Sequence, residues 1–590
     1  MGIIVGQASA CLPFRATAKI KTRQAEARPT KATGSDARLN RLNSKAPIRS
    51  RAAEEGSFQI PLWGVPLIFL LLYVCLFSGL GALGLVGPDE PRYAAIARAM
   101  AETDDWITPR LWGTPWFEKP VLYYWTAGIA MRLFGVNEFA ARLPSALAAL
   151  LAVFAAAWTA LRSYGLGAAW FSLLMLPTSV AMIGFARAAS PDMLFAALLT
   201  SAMAVAVEIL QKPQPGPISR IAFGFFLGAA VLAKGPAAVV LAGGATLLWA
   251  ALSRQWRAPF RFLHPLVILV FCATALPWYV LCAMRNPDFL RVFIWQHNFE
   301  RYVTPVFQHP QPFWFFSVIL LLAVLPWLPL LITSIIDAAT RLRSSERVSS
   351  LGLFFACWAL FPLLFFSLSR SKLPGYILPA VPAVVLMLGT SLARYAREKS
   401  GTLPLVIASI GLIFPAGIGI ALAIWISTPN MGGLLHVNLT RAFEIALGIA
   451  VVCGGGIVGF SVRHKLNHAI CIAACTVTIL VLAANRIFLP GIDTIITARP
   501  AAISAIQDHL LSPDEVAVYG LPRAYQYGLN YYFNSSLPEW TPGNNNARVL
   551  FSSRESLDSP ALSSLPGKDR SPATADGKIF LVILHPAAEK

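Results

Sequence analysis

Charge is scarce in this chain, and acidic charge scarcest. Its 590 residues include 29 Asp and Glu against 48 Lys and Arg, and the four types together make up 13%, where a soluble protein carries about 25%. With 56% hydrophobic residues and a mean hydropathy of +0.61, a soluble globular domain is excluded and a polytopic membrane protein is indicated. Cysteine is also sparse: seven of the eight (Cys75, Cys272, Cys282, Cys357, Cys453, Cys471, Cys475) lie in apolar segments and Cys11 lies in the leading tail. No disulfide framework and no CxxC metal site follow from them. The net charge of +19 does not make a nucleic-acid binder, because the basic residues recur in short patches between apolar segments, as in loops that face the cytoplasm.

Residues 1–55 read as a disordered basic cytoplasmic tail, with eleven Lys and Arg against Glu26 and Asp36 before residue 54 and no sustained apolar period. The Arg-rich, acid-poor composition also matches a transit peptide; the positive-inside rule favours the arm. Beyond it come thirteen apolar spans, near 61–86, 139–161, 166–184, 192–211, 219–233, 236–252, 263–284, 313–336, 350–368, 375–393, 403–427, 441–461 and 468–488. With the N-terminus inside, the cytoplasmic loops LRSYG, QKPQPGPISR, SRQWRAPFRFLH, DAATRLRSSER, ARYAREKS and SVRHKLNH are all net basic, which supports both count and orientation. An odd count sends residues 489–590 to the outer side. There VAVYG, RVLFSS and KIFLVILHP read as strands and AAISAIQDHLL as a helix, giving a small α/β domain. Its stretch SSRESLDSPALSSLPGKDRSPATADG reads as a loop or floppy insertion.

Residues 60–490 contain fifteen Asp and Glu, and six of them crowd into GPDEPRYAAIARAMAETDDWITPRLWGTPWFEKPVLYYW, starting at Gly87 directly after the first span. Charge at a membrane face is costly and commonly functional. Asp89 and Glu90 precede a helical stretch with Pro91 at its start, so they serve either as an N-terminal cap or as chemistry. The same loop returns with Trp116, Phe117, Glu118, Lys119 and Tyr123-Tyr124-Trp125, an acid, a cation and aromatic walls together. Glu102, Asp104 and Asp105 read as a solvated turn. Asp192, after Ser190-Pro191, is balanced between a cap and a site residue. Lys119, Arg187, Lys234, Arg301, Arg370 and Lys372 fall on the outer side, which the positive-inside rule depletes; together they point to an anion such as phosphate, and singly each is explained by snorkelling. His297, Glu300, Arg301 and Tyr302 share about one helical turn of an interfacial segment. His297 is either a metal ligand or a hydrogen-bonded interface residue.

GPDEPRYAAIARAM, DDWITP, FEKPVLYYW and NEFAARLPSA, followed in order by ARAASPDMLF, LAKGP, FIWQHNFERY and SKLPGYILPAVPA, resemble the membrane glycosyltransferases that use polyprenyl-phosphate sugars. The pattern is similar to the lipid A aminoarabinose transferases within the protein-mannosyltransferase-like superfamily, and it spans residues 60 to about 395. The resemblance implies an all-α GT-C bundle of residues 56–488, with the first outer loop, 87–138, forming two interfacial helices that carry the catalytic motifs. It implies that Asp89 is the catalytic carboxylate, which we read as the base; Glu90 and Asp192 stand beside it as further catalytic candidates on our own reading of the residues. Lys119, Arg301, Lys372 and Tyr376 would then meet the donor phosphate. Glu118 and His297 fall where an aminoarabinose transferase can hold zinc, although catalytic zinc takes three ligands and structural zinc four; no cofactor is otherwise required. Val121 departs from the family, which often has proline there.

The reading is therefore a glycosyltransferase of the inner or plasma membrane that moves a sugar from a polyprenyl-phosphate donor to an acceptor hydroxyl, on lipid A, another envelope glycan or lipid, or a protein. Phosphate is a good leaving group, so the site needs a base and cations rather than a general acid, and direct displacement inverts the anomeric centre. The rival is a transporter or flippase of a lipid-linked or anionic substrate. It predicts acids in mid-span or broken helices paired in two related halves, whereas here the acids cluster at one face.

Overall fold

The computed structural model describes residues 58–300, 310–343, 350–398, 403–427, 433–508, 511–541, 547–563, 568–574 and 576–584. The basic tail and Arg301 lie outside the described residues. A helix or broken helix stands at each of the thirteen expected spans. Among the described residues nine are long and apolar enough to cross a bilayer, and eleven if each bent pair counts as one; the bent pairs are Leu166–Met175 with Val180–Ala186, at 61°, and Phe315–Ala323 with Leu328–Ile336, at 116°. The count of thirteen therefore rests on two shorter apolar helices, Gly64–Phe77 and Ala237–Ser253.

Five of the helices position the site. Two belong to the loop that follows the first span, α1 (Asp89–Thr103) and α2 (Leu122–Phe134), joined through a short hairpin of β1 (Arg110–Leu111) and β2 (Thr114–Pro115). The next is α3 (Glu138–Tyr164), started by Asn137, whose side chain accepts from the Ala140 N–H at 2.8 Å, the expected cap. Its buried alanines at 140, 141, 148, 149, 152, 156 and 160 leave room for close helix approach. Helix α4 (Pro191–Gln211) is the most enclosed span, with 89% of its apolar window buried, and it packs between α3 and α5 (Pro217–Lys234).

The last apolar helical run extends from Leu466 through a π-helical turn to Ile496, so the expected boundary at residue 489 falls inside a span. It ends in α6 (Leu489–Ile496), followed by α7 (Arg499–Asp508) and α8 (Arg523–Tyr532). The strands are β3 (Val516–Tyr519), β4 (Val549–Ser553), β5 (Lys568–Pro572) and β6 (Ile579–Leu584), in sheet order β3-β4-β6-β5. The first pair is parallel and the other two are antiparallel. Alternate residues serve opposite faces, as the two-residue period of a strand requires: Val516, Val518, Val549 and Phe551 join one buried cluster with α7 and α8, while Ala517, Leu550 and Val582 join another around Trp540.

One expectation for this region is corrected. The Ser- and Pro-rich stretch is not simply a loop: it contains the short helices Arg554–Leu557 and Pro560–Ser563, and β5, which is paired along its length with β6. Helix α8 joins this region to the bundle: it packs on α1, and Tyr531 belongs to the membrane core cluster.

The helices Leu403–Ser427 and Gly433–Val462 meet at Gly411 and Gly454, where a Cβ on Gly411 would lie 2.6 Å from the Gly454 carbonyl oxygen. Nothing stands within 4 Å of a Cβ placed on Gly455. Overpacking costs about 1–3 kcal/mol. Gly411→Val is accordingly expected to lower the thermal midpoint of the protein in detergent, while Gly455→Val leaves it in place; equal effects of the two would contradict the close crossing.

Candidate active site

The site begins with the segment that leaves the first span, Leu80 to Val86. Its carbonyls at 80, 83 and 84 accept from the Arg142 guanidinium at 2.8, 2.6 and 2.8 Å. Gly87 then turns at φ +66°, a value that suits glycine, and α1 starts at Asp89. Glu90, one residue on, is buried. Arg142 donates to both its oxygens, at 3.1 and 2.7 Å, and the backbone N–H groups of Ala189 and Val86 donate at 2.6 and 2.7 Å. Glu90 therefore ties the start of α1 to the segment leading to Asp192. Both of its oxygens are occupied, as a buried carboxylate requires.

On the other side of α1, Asp89 pairs with Arg92 Nη2 at 2.5 Å, Arg92 Nη1 pairs with Glu118 at 3.0 Å, and Glu118 pairs with Lys119 at 3.1 Å. The result is a charge chain Asp89–Arg92–Glu118–Lys119 that spans both ends of the loop. Burial draws the Arg92 guanidinium down, but Glu118, Tyr93 and Asp89 raise it further, so it stays charged. Its plane lies against Tyr93 and Trp116, 5.1 and 5.7 Å from the ring centroids. Burial, followed by the charge of Glu118, pushes the Tyr124 phenol well above its usual range, which keeps it a donor. Tyr124 Oη, Trp116 Nε1 and Arg92 Nε have no acceptor among the described residues.

A second cluster forms where α4 faces α5. Asp192 pairs with Lys234, and Ser190 Oγ donates to Asp192 at 3.5 Å. The Lys234 ammonium lies 4.7 Å from the Tyr376 ring centroid, so the structure brings Asp192 and Tyr376 to the same cation. Tyr376 itself sits in the 3₁₀ turn Pro374–Ala380, beside Phe316 and Phe366.

The expected cations are thus not a free cluster. Lys119 and Lys234 are ion-paired, and Arg187 donates to the carbonyls of Val74, Cys75 and Ser78. Lys372 is buried and donates to the Ser369 carbonyl at 2.6 Å, which holds its own loop; Arg370 is exposed. The TDD turn does more than meet water: Asp104 pairs with Arg132 of α2, and Asp105 accepts from the N–H groups of Ile107 and Thr108 and pairs with Arg285. His297 lies in the π-helical segment Arg291–Glu300. Glu118 is shared by two cations, and among the described residues no group of three or more His, Cys, Asp or Glu stands together for a metal.

Sequence reasoning missed Arg92 and Arg142 as members of the site. The signal was present: acids that close to an apolar core need cations, and Arg92 stands three residues from Asp89 on one helical face.

Over 423 residues the chain is 32% identical to the undecaprenyl phosphate-alpha-4-amino-4-deoxy-L-arabinose arabinosyl transferase of Edwardsiella ictaluri (strain 93-146), covering 70% of this chain and 74% of that protein. The chain belongs to this transferase family. The corresponding enzyme of Serratia proteamaculans (strain 568) is 30% identical over 431 residues, covering 71% and 75% of the two chains. Residues 62–293 match the family model for dolichyl-phosphate-mannose-protein mannosyltransferase. The crystal structure of ArnT from Cupriavidus metallidurans bound to undecaprenyl phosphate is similar with a TM-score of 0.73 at 23% identity, covering 89% of this chain and 100% of that one; this likeness speaks for the fold. The protein is an integral membrane glycosyltransferase that uses a lipid-linked phosphate sugar, as the arabinosyl transferase family does. The transporter or flippase reading is set aside by that membership.

Breaking a buried ion pair by removing one partner costs about 3–5 kcal/mol. Arg92→Met removes the guanidinium from buried Glu118 and from Asp89, so a clearly lower thermal midpoint is expected in detergent. An unchanged midpoint would contradict the place of Arg92 at the centre of the loop.

Proposed function

We propose that the chain transfers 4-amino-4-deoxy-L-arabinose from undecaprenyl phosphate to a hydroxyl of lipid A on the outer face of the membrane. The donor and sugar are those named for the relatives at 32% and 30% identity. The N-terminus lies in the cytoplasm and the sheet of β3 to β6 outside; the net basic loops support that orientation. Other envelope glycans, lipids and proteins are the competing acceptors.

The observation that carries this reading is the charge chain Asp89–Arg92–Glu118–Lys119. Of the three candidate acids, Asp89 is half exposed at 51%, while Asp192 is at 24% and Glu90 at 10%. Asp89 is therefore the base. It takes the proton of the acceptor hydroxyl as that oxygen attacks the anomeric carbon, and the bond from that carbon to the phosphate oxygen breaks with its electron pair going to phosphate. Lys119 holds the charge that develops on the phosphate, with Arg301 its partner. Tyr124, Trp116 and Arg92 offer unpartnered donors to oxygen-rich ligands beside the loop. Glu90 and Lys372 hold backbone rather than substrate, and Asp192, Lys234 and Tyr376 form a second cluster. Attack opposite the leaving phosphate inverts the sugar.

General-base catalysis contributes about 10²–10⁴-fold. Asp89→Asn is expected to lower transfer of labelled sugar by about that factor; transfer at the wild-type rate would overturn the base assignment. Lys119→Ala is expected to raise KM for the donor more than for the acceptor, and equal losses on both would count against a phosphate role.

A further inference from the structure

The segment that delivers Asp89 is held from two sides, and one of the two holding groups belongs to the region leading into the C-terminal sheet. The carbonyls of residues 80 to 84 are five in a row, and all accept from just two side chains. Arg142 of α3 takes 80, 83 and 84. Arg499, the first residue of α7, takes Gly81 at 3.0 Å and Ala82 at 3.2 Å. The N–H groups follow the same division: Gly84 donates to Asp493 at 2.8 Å, Leu85 to Tyr532 Oη at 3.1 Å, and Val86 to Glu90 at 2.7 Å. Backbone groups in a partly buried segment need such partners wherever water does not reach them, and no regular secondary structure supplies them here.

The second holding group is itself locked. Arg499 donates to both-sided partners: Asp493 Oδ2 accepts from its Nε at 2.9 Å and its Nη2 at 2.5 Å, and Glu138 stands 3.5 Å from Nη1. Tyr532 Oη donates to Glu138 at 2.8 Å, and Thr497 Oγ1 donates to Asp493 at 2.7 Å. The approach is tight enough to require glycine at 84, where a Cβ would meet Thr497 Oγ1 at 2.5 Å and Arg499 Cβ at 2.9 Å.

We propose that Arg499, fixed by Asp493, is a positioning residue for sugar transfer: with Arg142 it clamps residues 80–86 and so sets where Asp89 stands relative to Lys119 and the donor. The C-terminal region is then part of the catalytic frame. This rests on the reading of Asp89 as base. A planar guanidinium that reaches two successive carbonyls and a carboxylate is replaced only in part by an ammonium, which keeps the charge but not the fork. Misplacement of a reacting group by about 1 Å costs about a hundredfold in rate.

The test uses full-length enzyme in detergent with undecaprenyl phosphate-linked 4-amino-4-deoxy-L-arabinose as donor and lipid A as acceptor. Rates are expressed per folded molecule, judged by size-exclusion chromatography. Arg499→Ala is expected to lower kcat by about ten- to a hundredfold, with KM for the donor within about twofold and the pH–rate profile displaced; Arg499→Lys should recover part of the loss. If Arg499→Ala does not fold, Arg499→Lys and Asp493→Asn are judged by the same criteria. A wild-type kcat and pH–rate profile in the folded variants would overturn the clamp, even where the thermal midpoint falls. Asp89→Asn run in parallel separates the two ideas: if it keeps wild-type transfer, the base assignment fails, and if it is inactive while the Arg499 variants are unaltered, only the clamp fails.

Discussion

The constraint from which the site follows is the demand of seven backbone residues for polar partners at the point where the chain leaves its first span. A helix meets that demand within itself, but residues 80–86 are not helical, and a membrane protein tolerates such backbone only where other protein groups satisfy it. Two arginines, two carboxylates and the Tyr532 hydroxyl do so. Once they are in place, Gly87 and Pro88 give the chain one direction, and α1 begins with Asp89 on its accessible side. The charges that first look like a polar patch are a frame around backbone.

The acids then separate by what surrounds them. Glu90 is saturated by Arg142 and two N–H groups, Asp493 by Arg499, Thr497 and Gly84, and Glu118 lies between Arg92 and Lys119. Asp89 keeps one strong partner and half of its surface. A carboxylate of that kind is able to take a proton and release it, whereas the saturated ones would first have to break their networks. The pairing of Lys119 with Glu118 has a related meaning: the cation is held in place at the loop's far end by a neighbour, which leaves a phosphate less ordering to impose.

Much of this was legible in the sequence, for a physical reason. Membrane helices satisfy their own backbone, so length and hydropathy alone locate them, and a helix stands at every expected span. The strands at VAVYG, RVLFSS and KIFLVILHP are short continuous apolar runs, buried over most of their length, and were also readable. Strand β5, KDRSP, was not, because it is a polar edge strand whose place depends on pairing with β6. Helix α8, RAYQYGLNYY, carries tyrosines rather than an aliphatic stripe, and its fit against α1 is a tertiary fact. The family-like motifs led to Asp89 and Lys119. The roles of Arg142 and Arg499 were hidden, since they act on carbonyls 58 to 62 and 417 to 418 positions away, and carbonyls carry no sequence signature.

The central claim is that the first outer loop, so framed, presents one carboxylate and one lysine to a lipid phosphate. The most direct measurement is an experimental structure of the full-length enzyme with undecaprenyl phosphate bound. The account predicts the phosphate oxygens within salt-bridge distance of Lys119, with Asp89 across the space where the sugar would stand and residues 80–86 still held by Arg142 and Arg499. A phosphate bound away from Lys119, on a face of the bundle that does not include α1, would contradict it.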